Sequence, residues 1–217
     1  MKSELQLQHD VQEELEWEPS VDAAHIGVAA NAGVVTLTGT VPHFSQKSKA
    51  ENIAKSVSGV KAIANDIEVH LAGSGQHNDT DIATAALTAI KWHYSIPIDK
   101  VKVSVRNGWI TLEGNLDWQY QRDSAESAVC NLLGVKGVTN SITLVEKPQS
   151  KDVRSRIETA YKRSAEVDAA NVSVDVHDST IVLKGNVSSW SERSEAERVA
   201  WAAPGAAKVD NRITVGA

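Results

Sequence analysis

A short basic segment begins near residue 150 and holds the strongest candidates for ligand binding. Thirteen consecutive positions carry five basic side chains and only two acidic ones, Asp152 and Glu158. The five are Lys151, Arg154, Arg156, Lys162 and Arg163. Guanidinium and ammonium groups bind phosphates and carboxylates, and each basic residue near an anionic lipid surface contributes about 1 kcal/mol. The segment therefore predicts contact with an anionic surface; a solvated helix face is the alternative interpretation.

Residues suited to metal binding or catalysis are scattered along the chain. Seven histidines occur, none of them in an i, i+4 pair on a predicted helix, and Cys130 is the single thiol. Zinc sites usually draw four such ligands from closely spaced motifs. The sequence has no phosphate-binding glycine loop, nucleophile elbow or metalloprotease motif. We therefore predict no catalytic residue, no metal site and no cofactor.

The overall charge limits the kinds of partner. Lys and Arg number 22 against 28 Asp and Glu, which gives a net charge of −6. Residues 1–72 carry five basic and ten acidic side chains, whereas residues 148–217 carry ten of each. Because the molecule as a whole repels polyanions, we predict no nucleic-acid partner, and attraction to an anionic surface has to be local.

A threefold repeat positions these residues. The anchor glycines Gly39, Gly114 and Gly185 are each followed, after twenty residues, by a second glycine. These second glycines are Gly59, Gly134 and Gly205. An asparagine follows each anchor after twenty-six residues, again without insertion or deletion. So many fixed offsets indicate three copies of one structural unit.

Hydrophobic periodicity gives the elements of each copy. Apolar residues at i, i+4 and i+8, such as Leu7, Val11 and Leu15, predict a first helix. Two alternating segments, a second apolar helical stripe and a third alternating segment follow. The predicted fold class is therefore α+β: three tandem αββαβ modules, each a three-stranded mixed sheet with two helices on one face. We place the modules at residues 3–72, 79–146 and 149–217.

Two expectations concern the glycines. Each anchor glycine is expected to end the second strand of its module. Each second glycine is expected to stop the following helix as a left-handed C-terminal cap. The glycines are thus interpreted as structural.

Aromatic and thiol side chains on the helices form another group of candidates. Lys55, Cys130 and Trp201 share one position of the second helix, off its buried stripe, and are expected to be partly exposed. An exposed Trp201 would suit a membrane interface or a protein contact; packing against the neighbouring module is the alternative. Cys130 is interpreted as an inert residue. Trp17 and Trp92 are expected to pack between helix and sheet.

The apolar-x-Gly-x-apolar step, the helix, the second glycine and the closing Asn-x-Ile strand resemble the BON domain, named after bacterial osmotically inducible and nodulation proteins. The resemblance covers nearly the whole chain in three copies. It implies association with phospholipid or membrane surfaces under osmotic or envelope stress. Some relatives in the cytosol bind potassium instead.

From these observations we predict a non-enzymatic protein that associates peripherally with a phospholipid surface or an envelope partner. A potassium-responsive cytosolic protein and a protein-interaction scaffold are the alternatives. Because the sequence as it stands shows no signal segment, we expect a cytoplasmic location, or a periplasmic one if a signal was removed. No run of eighteen apolar residues is present, so no membrane-spanning helix is expected.

Overall fold

The chain repeats one order of elements three times. The computed structural model describes residues 2–70, 77–146, 152–164, 167 and 170–216. The first module consists of α1 (Glu4–Trp17), β1 (Ile26–Asn31), β2 (Val34–Val41), α2 (Phe44–Ser56) and β3 (Ala62–Val69). The second consists of α3 (Asp79–Trp92), β4 (Val101–Arg106), β5 (Trp109–Leu116), α4 (Gln119–Cys130) and β6 (Gly137–Leu144). The third consists of α5 (Val153–Arg163), β7 (Val172–His177), β8 (Thr180–Val187), α6 (Trp190–Trp201) and β9 (Lys208–Val215).

Each module has its own three-stranded sheet. The first two strands of a module are antiparallel, and the second and third are parallel, with the second strand in the centre. The register is the same in all three: Gly39 pairs with Ile26, Gly114 with Val101 and Gly185 with Val172. The predicted α+β fold, with three mixed sheets and a threefold repeat, is confirmed.

The core of each module lies between its two helices and one face of its sheet. In the first module Leu7, Val11 and Leu15 of α1 are buried together with Val35 and Leu37 of the central strand. The strand residues between them point to the other face and remain partly or fully exposed. Because a strand alternates its side chains, only one face of the sheet is apolar, and both helices must share it.

The repeated asparagine ties the second helix to the last strand. Asn65 Nδ2 donates to Glu51 Oε2 at 3.1 Å, and Asn65 Oδ1 accepts from the backbone N–H of Ile67 at 3.3 Å. The same contacts join Asn140 to Glu126 and Asn211 to Glu197. A partly buried amide thereby satisfies its polar atoms, which explains why its distance from the anchor glycine never changes.

The anchor glycines are needed for a close approach of two backbones. They have positive φ angles of 123°, 148° and 144° in chain order. A Cβ on Gly39 would overlap the carbonyl oxygen of His25, and the other two anchors meet a carbonyl in the same way. The expectation that they end the strand was wrong, because β2, β5 and β8 each continue two residues further.

The second glycines differ from expectation in a similar way. Gly59, Gly134 and Gly205 have positive φ, but α2, α4 and α6 end three or four residues earlier, at Ser56, Cys130 and Trp201. They therefore shape the turn that leads into the last strand rather than capping the helix. The left-handed backbone still favours glycine there.

The modules also contact one another near the beginnings of their second helices. Phe44 of α2 packs against the core of the second module, and Trp190 of α6 packs against that of the first. Burial raises the pKa of Asp123 on α4, and the carboxylates of Glu126 and of Glu197 on α6 raise it further. The second helices of the three modules thus lie close together.

The requirement for glycine can be tested at neighbouring positions. Gly39→Ala should destabilise the protein by at least about 2 kcal/mol, because the new Cβ meets backbone at a left-handed φ. Gly27→Ala is the matched control: its Cβ would meet only the Thr38 side chain, and the third module carries Ser173 at this position. Urea unfolding followed by circular dichroism measures both; equal midpoints would contradict the assignment.

The contact between the first and third modules can be tested at Trp190. Trp190→Ala should remove about 2 kcal/mol of packing and let the third module move away, because a large cavity replaces the indole. Small-angle X-ray scattering should show a larger radius of gyration with unchanged helix content. Trp201→Ala is the control, since Trp201 packs against its own module's core. An unchanged radius for Trp190→Ala would disprove the contact.

Candidate functional site

A groove runs between the two helices of the third module, which we call the α5–α6 groove. Its volume is about 500 Å³. Its floor is apolar, formed by Val153 and Ile157 of α5 and by Val199, Ala202 and Ala203 at the end of α6. Three of these five residues, Val153, Ile157 and Ala203, also belong to the buried core of the module. The groove is therefore held by the packing that stabilises the fold.

Three arginines line this groove. Arg156 and Arg163 stand two helical turns apart on the same side of α5, and Arg198 comes from α6. Arg198 is held by Glu195, which accepts from Nε at 2.6 Å and from Nη2 at 2.7 Å. The side chains of Arg156 and Arg163 make no ion pair or hydrogen bond with any described residue and are exposed. Within the part of the chain that the structure describes, these two positive charges therefore have no acidic partner.

Two hydroxyl groups of α5 accompany the arginines: Ser155 precedes Arg156, and Thr159 stands between Arg156 and Arg163. Ser155 and Thr159 line the groove, and Thr159 Oγ1 donates to the carbonyl oxygen of Ser155 at 2.7 Å. The Ser155 hydroxyl makes no hydrogen bond with the part of the chain that the structure describes. Arginines and a hydroxyl donor above an apolar floor suit an anion that is joined to an apolar group.

The remaining basic candidates lie elsewhere on the helix. Arg154 donates from Nε to Glu158 at 2.8 Å, and this hydrogen bond raises the pKa of the guanidinium. Lys162 is exposed on the same row of α5 as Arg154 and does not line the groove. Lys151 lies outside the described residues. The structure thus brings together Arg156 and Arg163 of the predicted group but not Arg154 or Lys162.

Arg198 was not among the sequence candidates. It follows the basic segment by thirty-five residues and stands in a helix with three acidic residues and one other basic residue. Only the pairing of α5 with α6 places it beside Arg156 and Arg163. The repeat carries no signal for it, because the equivalent positions hold Asn52 and Ser127, which are uncharged and do not line their grooves.

The equivalent grooves of the other modules have different linings. In the first module it is lined by acidic Asp10, Glu13 and Glu14 together with Lys2. In the second it is mostly apolar, with Ala85, Ala89, Trp92 and Leu132, and also includes Asp81 and two threonines. Arg163 stands at the position of Trp17 and Trp92 in the repeat. The same groove is therefore acidic, apolar and basic in chain order.

The structure contradicts the prediction for Trp17 and Trp92 and shows where Trp201 packs. Trp17 and Trp92 were expected to pack between helix and sheet, but their surfaces are 85% and 84% exposed. They follow the last buried residue of the helix by two positions, about 200° around the axis, so they point away from the sheet. Trp201 is partly exposed, as expected, and packs against the core of its own module rather than a neighbouring one.

Comparisons with known proteins identify the repeat. The BON domain family matches residues 3–70, 78–146 and 149–217. The chain is 32% identical over 127 residues to "Osmotically-inducible protein Y" of Escherichia coli (strain K12), which covers 57% of this chain and 63% of that protein. The match thus spans less than two thirds of the relative's length.

Two solved structures are also similar. Both come from CdsD, a structural protein of the type III secretion system of Chlamydia trachomatis. One shares 16% identity, covers 96% of this chain and 91% of its own, and has a TM-score of 0.27. The other, the C-terminal domain, shares 14% identity, covers 100% of both chains and has a TM-score of 0.28.

Cys130 stands at the end of α4 and is partly exposed. Burial and, to a smaller extent, the Glu126 carboxylate together raise the pKa of its thiol to about 11. Because the thiolate is the reactive form, this thiol is a poor nucleophile near neutral pH. In the described ranges no three His, Cys, Asp or Glu side chains are grouped so that they could hold a metal ion.

The raised pKa of Cys130 predicts slow alkylation. Between pH 7 and 9.5 the rate with iodoacetamide should rise about tenfold per pH unit without levelling off, because the thiolate fraction still grows. An unperturbed thiol would begin to level off near its pKa of about 8.5. The urea-unfolded protein is the control and should show this ordinary profile; a plateau near pH 8.5 in the folded protein would contradict the burial of the thiol.

Proposed function

This chain belongs to the BON domain family, and on that premise we propose that it is a non-enzymatic protein that binds peripherally to anionic phospholipid surfaces. We place the contact on α5 of the third module. The opposite charge of the bilayer surface attracts basic side chains and is screened by salt. This attraction is local, in agreement with the acidic character of the whole chain.

The observation that carries the proposal is the unpaired charge on α5. Arg156, Lys162 and Arg163 are exposed and have no acidic partner among the described residues. Basic residues on stable surfaces often pair with a neighbouring carboxylate, as Arg154 does with Glu158 here. Three cations on one short helix, without an ion pair to any described residue, favour an external anion as their partner.

Exposed aromatic residues support a membrane rather than a soluble anion. Trp17 and Trp92 end the first helices of the other two modules, and Tyr94 follows with 99% of its surface exposed. Tryptophan and tyrosine are enriched where a protein meets the interface between water and lipid. None of the helices in the described ranges is long and apolar enough to cross a membrane. Contact from one side is therefore the arrangement that we propose.

A role in the response to osmotic stress follows from the relative. The name "Osmotically-inducible protein Y" describes a protein produced under osmotic stress, and we extend that role to this chain. The alternatives of a potassium-responsive protein and an interaction scaffold, and the cytoplasmic location, stay predictions from the sequence. An envelope protein would replace the lipid as partner if vesicles fail to bind.

Sedimentation with lipid vesicles tests the proposal. The protein should sediment with vesicles of phosphatidylcholine and phosphatidylserine at low salt, and much less with phosphatidylcholine alone or at high salt. Arg156→Glu with Arg163→Glu should lower the affinity about tenfold or more, because each charge contributes about 1 kcal/mol and is reversed.

A matched control variant has the same net charge as the double variant of α5. Lys102→Glu with Arg106→Glu alters the net charge equally but changes exposed residues of strand β4, on the second module. This variant should bind vesicles nearly as the unmodified protein does. Equal losses in the two variants would show that only net charge matters, and no binding to anionic vesicles at low salt would reject the proposal.

A further inference from the structure

We propose that the α5–α6 groove binds one anionic phospholipid molecule, with its phosphate at the arginines and the first part of its acyl chains on the apolar floor. This inference rests on the proposed function and deepens it. A charged helix face attracts a bilayer through many weak contacts. A groove with walls and a floor instead binds a single molecule in a defined position.

The charge of the groove selects an anion. Arg156 and Arg163 approach from α5 without an ion pair to any described residue, and Arg198 faces them from α6, held by its two hydrogen bonds to Glu195. A phosphate placed between the helices can accept from guanidinium groups on two sides. Arginine suits this role because its planar group presents several donors with fixed geometry.

The floor of the groove selects an apolar group beside that anion. Besides the arginines, Val153, Ile157, Val199, Ala202 and Ala203 line the groove, together with Pro204. The volume of about 500 Å³ falls within the range of about 300–1,000 Å³ that is typical of small-molecule sites. Val153 and Ile157 are buried, so the apolar surface open to a ligand belongs mainly to Val199, Ala202 and Pro204. A phosphate alone would leave these residues uncovered, whereas a phospholipid covers both parts.

The other two modules provide an internal comparison. Their grooves lie at the same place but combine the features differently: carboxylates line the first, and no basic side chain lines the second. Only the α5–α6 groove, of these three, joins several cations to an apolar floor. The inference therefore assigns the lipid to the third module alone.

Titration with soluble short-chain lipids tests the inference without a bilayer. Dihexanoyl phosphatidic acid, kept below its micelle concentration, should bind the full chain in a calorimetric titration. Dihexanoyl phosphatidylcholine has no net charge, and glycerol 3-phosphate has no acyl chains. Each should bind with an affinity lower by a factor of about ten or more. Equal affinity for phosphatidic acid and glycerol phosphate would show a site for phosphate alone and overturn the inference.

One variant blocks the groove while leaving every charge in place. Ala202 is exposed at the C-terminal end of α6, where a larger side chain can enter the groove without disturbing the core. Ala202→Phe should lower the affinity for dihexanoyl phosphatidic acid about tenfold or more. Asn131→Phe, at the equivalent position of the second module, is the matched control and should bind as the unmodified protein does.

The two proposals fail in different ways. If Ala202→Phe keeps its circular dichroism spectrum and still binds the short-chain lipid normally, the groove is not the site. If the protein sediments with vesicles but does not bind dihexanoyl phosphatidic acid, the peripheral contact is supported and the single-molecule site is rejected. Should Ala202→Phe unfold, Arg198→Gln takes its place and is expected to weaken binding of the same lipid about tenfold.

Discussion

Two helices must share the only apolar face of a sheet that is three strands wide. The outer strands are separated by two strand spacings, about 10 Å, and packed helices lie about 8–10 Å apart. Two helices side by side are therefore about as wide as the sheet that they cover. Each helix buries only the row of side chains that contacts the sheet. The upper flanks of the helices remain apart, so every module has a groove between them, and that groove follows directly from how the core is covered.

The side chains that line this groove differ among the three modules because the rim of the groove is not part of the core. Residues of the buried stripes are held to apolar types by packing in all three copies, whereas a rim position faces water and tolerates any side chain that does not disturb the helix. The position that ends the first helix shows this freedom: Trp17, Trp92 and Arg163 occupy it in turn. Repetition thus supplies one scaffold and three surfaces, of which only the basic one in the third module suits an anionic lipid.

The modules also stabilise one another. A unit of about seventy residues buries a smaller fraction of its surface than a larger domain does, so a contact between units adds to a narrow margin of stability. Phe44 and Trp190 make such contacts at the same position of the repeat, while the second module has Gln119 there. The rim of the α5–α6 groove stays exposed at Arg156, Arg163 and Ala202, where the proposed lipid can reach it.

Periodicity and repeated spacing alone determined most of this fold. The glycine and asparagine offsets revealed the three copies. The buried helical stripes that begin at Leu7, Ile82 and Val153 were predicted correctly, because a local pattern encodes which side of a helix faces a sheet. Local patterns could not show that strands β2, β5 and β8 continue past their glycines, since a close backbone contact with another strand decides it. Nor could they show the groove. The charge of Arg156 was visible in the sequence, but its meeting with Arg163 and Arg198 above an apolar floor depends on the pairing of α5 with α6, which brings together residues that lie far apart along the chain.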